Sequence, residues 1–462
     1  MVFERIGMSL EFSLLITVIM ISAVLGCLNG GVAYLILVER KISAWVQDRV
    51  GPNRAFYGIL QPIADGVKLL LKEEMIPKYV DKFFFMIAPA IALITAFMAL
   101  AVVPFGPTSP SPILIDYREN AATYGLVVWP STKSEYDAVI LADRNHAQEK
   151  KVGSFEDQVK VYNSHIQFVL APHVDIGILF VFAIGSLGVY GVILGGWSSN
   201  NKYSLLGSLR SSAQLISYEI PLGLSVLGVV LITGSLNLEH IIQHQVDNGW
   251  NVLFQPLAMV LFATSIFAEC NRLPFDLPES EQELIGGYHT EYSSMKFALF
   301  LFGEYTHMIT TSFLMMTVFF GGWHLPFITD PNDFSIFGIA LKFAVTAFKT
   351  AGFIVFYMLI RWTILRFRFD QLMHLAWKIM LPISFASFTV LMFIVHFKPI
   401  GQQSIWLMCP VSLAILLASG FIGIRLSKPT YSSTKTKVPY LGHGSGYSVQ
   451  HDSKLRFESS NK

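Results

Sequence analysis

From residue 269 the chain runs Glu269-Cys-Asn-Arg272-Leu-Pro-Phe-Asp276-Leu-Pro-Glu279-Ser-Glu281-Gln-Glu283 and continues through Glu291 to Glu304, placing seven carboxylates against Arg272 and Lys296. Like charges this close raise one another's pKa, so such a cluster can exchange protons near neutral pH. It can also dock a basic partner, and the two uses are compatible. Further charges lie within apolar runs: Glu219 in Leu215-Ile-Ser-Tyr-Glu-Ile-Pro221, Glu269 at the end of the next run, Glu304 in the one after, and Lys342 and Lys349 in a later one. A charged side chain costs roughly 2.5 to 3.5 kcal/mol at the centre of a membrane span on insertion scales, so it usually has a use. Glu219, Glu269 and Glu304 on neighbouring runs suggest a hydrated proton-conducting line. Pairing with Arg210 or Lys349, only to hold helices together, is the alternative.

Two basic stretches complete the set. The first contains Glu39-Arg40-Lys41, Arg49-Val-Gly-Pro-Asn-Arg54 and then Gln61-Pro62, which opens a helix because proline is tolerated in a first turn. On that helix Asp65, Lys68 and Lys72 fall on one face, and Ile63, Val67, Leu70 and Leu71 fall roughly on another. A helix lying in a membrane interface has this pattern, with its polar stripe in water or lining a cavity. In the second, Arg361, Arg366 and Arg368 alternate with aromatics. These arginines can reach lipid head groups, or pair with the acidic segment and frame the polar end of an amphipathic ligand.

The elements that must position these groups follow from composition. Of 462 residues, 33 are Lys or Arg and 32 Asp or Glu, so only 14% are charged while 53% are hydrophobic. Soluble domains carry about 25% charge. The chain therefore reads as an all-α polytopic membrane protein. A net charge of +1 excludes nucleic-acid binding driven by phosphate neutralisation. Cys27, Cys270 and Cys409 are scattered and no nucleotide-binding glycine motif is present, so no metal site, bound cofactor or catalytic nucleophile is expected from motifs.

Apolar runs place nine spans at about 12–37, 83–104, 174–196, 213–234, 251–268, 296–322, 337–360, 379–397 and 404–426. The first run lacks a small-residue cleavage site and reads as a retained anchor. With the long 105–172 connection set aside, 23 Lys and Arg fall on one side of these spans and 2 on the other. By the positive-inside rule the N-terminus is outside and the C-terminus inside. Four regions result: residues 1–104 with two spans and the amphipathic connection, a small soluble outer insertion at 105–172, the remaining bundle at 173–426, and a polar inside tail at 427–462. Alternating runs at 137–142 and 158–162 lead us to expect some β-structure in the insertion.

Together these stretches resemble one family, the membrane-embedded H subunit of respiratory complex I, called NADH dehydrogenase subunit 1 in mitochondria. The motifs that carry the resemblance include Arg49-x-Gly-Pro-Asn, Leu60-Gln-Pro-x-Ala-Asp65, Ile216-Ser-Tyr-Glu219, Ala268-Glu-x-Asn-Arg-x-Pro-Phe-Asp276, Glu279-x-Glu-x-Glu283, Glu304-Tyr and Arg366-Phe-Arg-x-Asp370-Gln-Leu, in family order. The insertion and the tail depart from it. The resemblance implies a multi-pass protein of the cell inner (cytoplasmic) membrane that builds a quinone chamber with the peripheral-arm subunits and contacts the small membrane subunits. The flavin and iron-sulfur clusters would belong to partner subunits, with quinone as substrate. It further implies that Arg40, Arg49, Asp65, Arg272, Glu279 and Arg361 line or frame the quinone chamber. Tyr218, Glu219, Glu269, Glu281, Glu283 and Glu304 would belong to the path linking quinone reduction to proton translocation. The competing expectations are the equivalent subunit of a membrane-bound hydrogenase and a stand-alone cation transporter.

Overall fold

Helix α1 (Leu10–Val46) has 37 residues, about 55 Å at 1.5 Å per residue. That exceeds the roughly 30 Å of a bilayer core, so its last turns, with Glu39 and Arg40, extend toward an interface. The computed structural model to which it belongs describes residues 10–109, 167–171, 174–278, 286–331, 335–397 and 408–418, together with Glu283 and Asp333. Among these residues every regular element is helical. The expected β-runs of the insertion, and the polar tail, lie outside them.

After α1 the chain turns at Gly51, whose φ of +72° is a left-handed conformation that glycine adopts without strain. A short α2 (Arg54–Tyr57) leads to α3 (Gln61–Leu71), with Pro62 in its first turn. Helix α3 stops at Lys72, whose backbone is extended, so Lys72 leaves the polar stripe expected to include it. The hydroxyl of Ser294 donates to Leu69 O at 2.8 Å and Lys72 O at 3.0 Å, satisfying carbonyls that a helix end leaves open. Lys296 joins Glu74 at 2.6 Å, a second tie between the end of α3 and the start of the helix that opens at Ser294. Ile63, Val67, Leu70 and Leu71 are all exposed.

The bundle proper comprises α4 (Lys82–Val102), α5 (Gly177–Ser198), α6 (Lys202–Thr233), α9 (Pro256–Glu269), α10 (Ser294–Phe319) and α11 (Ile336–Thr363). Asp81 and Asn201 cap α4 and α6 by accepting the backbone N–H of Phe83 and Tyr203. An amphipathic α7 (Leu238–Asn248) and a one-turn α8 (Asn251–Phe254) precede α9. Helix α12 (Phe369–His374) passes through a π-helical stretch, Leu375–Met380, into α13 (Leu381–Phe397), and α14 (Met408–Ala418) follows. The core is built where α5, α6, α9, α10 and α11 meet, around Ile184, Leu222, Phe262, Met315 and Tyr357.

Each expected span overlaps helical residues among those described, and six helices there are both long and apolar enough to cross a membrane. Helix α10 has the length, 26 residues, but carries Lys296, Glu304 and His307. The fifth span is not the continuous run expected. Pro256 has no N–H to donate and disfavours helical geometry at the residue before it, so Gln255 (φ −129°, ψ 60°) breaks the helix. Of the ninth, only Met408–Ala418 is described.

Lys342 and Lys349 do not pair with the buried carboxylates. Lys349 Nζ donates to the carbonyls of Phe320, Gly322 and His324 at 2.7, 3.0 and 2.7 Å. Lys342 donates to those of Pro331 and Asp333 at 3.0 and 2.8 Å. Lys349 therefore caps the turn beyond the C-terminus of α10, where a helix dipole favours positive charge, while Lys342 ties the segment leading into α11.

Candidate functional site

Four groups of polar side chains emerge from this frame. At the end of α1, Glu39 is buried and accepts from three directions. Arg361, at the end of α11, donates to Oε1, as does Arg272 from the turn after α9 at 3.5 Å. Tyr305 on α10 donates its hydroxyl to Oε2 at 2.5 Å. The Arg272 guanidinium also lies 4.1 Å from the centre of the Tyr305 ring. One carboxylate thus ties α1, α9, α10 and α11 together.

One residue along, Arg40 pairs with Asp65 of α3 at 2.8 Å, and Gln61 donates to the same carboxylate at 3.2 Å. Lys68 stands 3.9 Å away. The polar stripe of α3 therefore faces α1, and its apolar residues point outward. Arg49 is exposed, with its Nε on Gln47 at 2.8 Å, apart from this pair.

The third group lines a cavity of about 90 Å³ between α4, α5, α6, α9 and α10, large enough for several waters. Glu219, Glu269, Glu304 and His307 all line it. Each carboxylate has a donor from a neighbouring segment. Ser186 donates to Glu219, Tyr288 donates to Glu304 at 3.2 Å, and His307 Nε2 lies 3.2 Å from Glu269 Oε1. Tyr218, next to Glu219, turns about 100° away around the helix. Its hydroxyl donates to Leu372 O at 3.0 Å, and it does not line the cavity.

The fourth group closes one end of the bundle. Glu283 sits between Arg210 at 3.2 Å and Arg366 at 2.8 Å. Arg210 and Arg366 also donate to the carbonyls of Leu277 and Asp276, at 2.9 and 3.0 Å. Burial pushes the Glu283 carboxyl up, but the two guanidinium groups outweigh it and hold its pKa below the usual carboxylate value. Arg210 thus serves the loop and not the carboxylates inside the bundle. Arg366 pairs with Glu283 of the acidic segment, whereas Arg361 pairs with Glu39 of α1, outside that segment. Glu279 and Glu281 lie outside the described residues.

Sequence reasoning missed Glu39 as the hub, along with Tyr305, His307, Ser186 and Tyr288. Two of these had a signal. Glu39 ends an apolar run, and His307 lies three residues beyond Glu304, the spacing that puts two side chains on one helix face.

The sequence profile of the NADH dehydrogenase family matches residues 18–136 and 159–392. The interval it skips falls in the insertion. Among curated proteins, the chain is 43% identical over 362 residues to an NADH-quinone oxidoreductase H subunit of Cytophaga hutchinsonii, covering 77% of this chain and 90% of that one. It is 44% identical over 356 residues to the H subunit of the same enzyme in Leptospira biflexa, covering 76% and 87%. With an H subunit of Geobacter metallireducens it shares 42% over 359 residues, covering 78% and 90%. With the profile spanning most of the bundle and relatives this similar along most of their length, the chain belongs to the NADH dehydrogenase family as a multi-pass membrane protein.

Proposed function

We infer that this chain is the membrane subunit of a proton-pumping NADH:quinone oxidoreductase. It forms the quinone entrance and chamber with the peripheral arm and passes the event of quinone reduction to the proton path. It sits in the cell inner membrane with its N-terminus outside and its C-terminus inside, where the basic connections gather. Flavin and iron-sulfur clusters belong to partner subunits, and quinone is the substrate. Relatives named as H subunits of NADH-quinone oxidoreductases support this reading over a hydrogenase component or a free-standing transporter.

The observation that carries the proposal is that the cationic hub and the acidic cavity share two short pieces of backbone. Glu304 faces the cavity while the adjacent Tyr305 holds Glu39, and Glu269 lies three residues before Arg272. Quinone reduction takes up two electrons and two protons. A unit negative charge arriving about 8 Å from a carboxylate interacts by about 2 kcal/mol at an effective dielectric near 20. That is about thirtyfold in a protonation equilibrium. Its sign is to raise the proton affinity of the carboxylates and draw protons into the cavity. The exposed apolar face of α3 supplies an apolar route for the quinone tail, and Arg40, Arg49, Asp65, Arg272, Glu279 and Arg361 frame its polar end. Glu219, Glu269 and Glu304 form the inner proton path, with Tyr218, Glu281 and Glu283 at its loop side.

Replacing Asp65 with Asn and Glu219 with Gln in the assembled complex tests this. Both variants are expected to depress coupled NADH:quinone reductase activity. Full activity and full proton pumping in both would overturn it.

A further inference from the structure

Each carboxylate of the cavity is met by a hydrogen-bond donor from another segment, but the three donors differ in one respect. The hydroxyls of Ser186 and Tyr288 donate without holding a positive charge. His307 can do both, because an imidazole donates from one ring nitrogen and can take up a proton on the other. It is the basic side chain among the cavity-lining residues. The groups facing it are Glu304 from its own helix, Glu269 and Cys270 from the end of α9, Glu219 from α6, and Tyr288 from the turn before α10. Helices α4 and α5 contribute small or apolar residues and the hydroxyls of Thr95 and Ser186.

We propose that His307 is a proton-exchanging residue of this path, working with Glu269 as one two-site unit. The proposal rests on the function inferred above. The proton balance is simple. Moving one proton from His307 Nε2 to Glu269 Oε1 across 3.2 Å converts an ion pair into a neutral pair with no change in net charge. Uptake of a second proton by the neutral pair, at the imidazole, gives a cationic unit, and release of one from Glu269 toward the cavity water restores the ion pair. Glu269 thereby passes protons on without standing as a bare anion beside Glu219 and Glu304, a state that crowding of like charges in low dielectric disfavours. His307 follows Glu304 by three residues, so one face of α10 holds both the imidazole of the unit and the next carboxylate.

The test replaces His307 with Asn or Gln in the assembled complex and measures pumping in inverted vesicles between about pH 6 and 8, the range in which an imidazole changes charge. Both amides keep an N–H for Glu269 but cannot take up a proton. The expected result is several-fold slower pumping with a flattened pH profile. A wild-type profile, or a uniform loss with the profile unchanged, would reduce His307 to a structural donor and overturn the proposal. Should the variants fail to assemble, infrared difference spectra of the wild-type complex with ring-labelled histidine decide. An imidazole band that changes on quinone reduction supports the exchange, and its absence refutes it. If Asp65→Asn and Glu219→Gln are impaired while His307→Asn is not, this assignment alone fails. If all three are silent, the functional reading fails with it.

Discussion

Glu39 gives the most demanding test of how the bundle is held. Its side chain is 8% exposed, and those of its partners Arg272 and Arg361 are 7% and 19% exposed. Glu39→Gln keeps the shape and removes the charge, so no cavity forms and the cost is electrostatic. Breaking a buried ion pair costs about 3–5 kcal/mol, because the remaining charge stays in low dielectric without a partner. Tyr305 exchanges a charged acceptor for a neutral one, which weakens a hydrogen bond worth about 1.5–3 kcal/mol. The terms overlap, and about 4 kcal/mol is a fair total, or roughly a thousandfold in the local opening equilibrium. Amide hydrogen exchange of the assembled complex reads this directly. Protection of the 268–275 turn and of the last turn of α11 should fall by two to three powers of ten, and quinone reductase activity should fall with it. Adding Arg272→Met should recover part of the loss, because one orphaned cation is gone and neighbouring sites are not additive. Wild-type protection in Glu39→Gln would refute the claim that this carboxylate ties the four helices together.

Two further outcomes follow from the geometry. The folded-state pKa of Glu283 is depressed, so its contribution is present above the ordinary carboxylate value of 4.5 and is lost as pH falls below it. Limited proteolysis of the 277–287 loop should therefore accelerate below about pH 4.5 in the wild type, and Glu283→Gln should show the fast rate already at neutral pH; equal rates at both values would contradict it. At Gly185 an added methyl would lie 3.1 Å from Glu269 Oε1. Gly185→Ala should displace that carboxylate by a few tenths of an ångström and slow pumping while the complex still assembles; unchanged pumping would show that the Glu269 position is not critical.

The contrast between lysines and carboxylates marks what could be read in the chain. Apolar run length located the helices, because a bilayer demands about the same length of each. It could not locate the break at Gln255, since Pro256 lies inside an apolar run and acts only through local backbone geometry. Charge inside a span identified Glu219, Glu269, Glu304, Lys342 and Lys349 alike, because desolvation cost depends on depth and not on sign. Sign was decided by packing. The carboxylates converge where α6, α9 and α10 meet, while the lysines find carbonyls beyond the end of α10. Glu39 was harder to recognise, because an acidic residue closing an apolar run also describes any helix leaving a membrane. Its role arises from Arg272, Tyr305 and Arg361, hundreds of residues away in sequence. The adjacent pair Glu304 and Tyr305 shows why neighbouring positions differ in function: a step of about 100° around one helix separates the acidic cavity from the cationic hub.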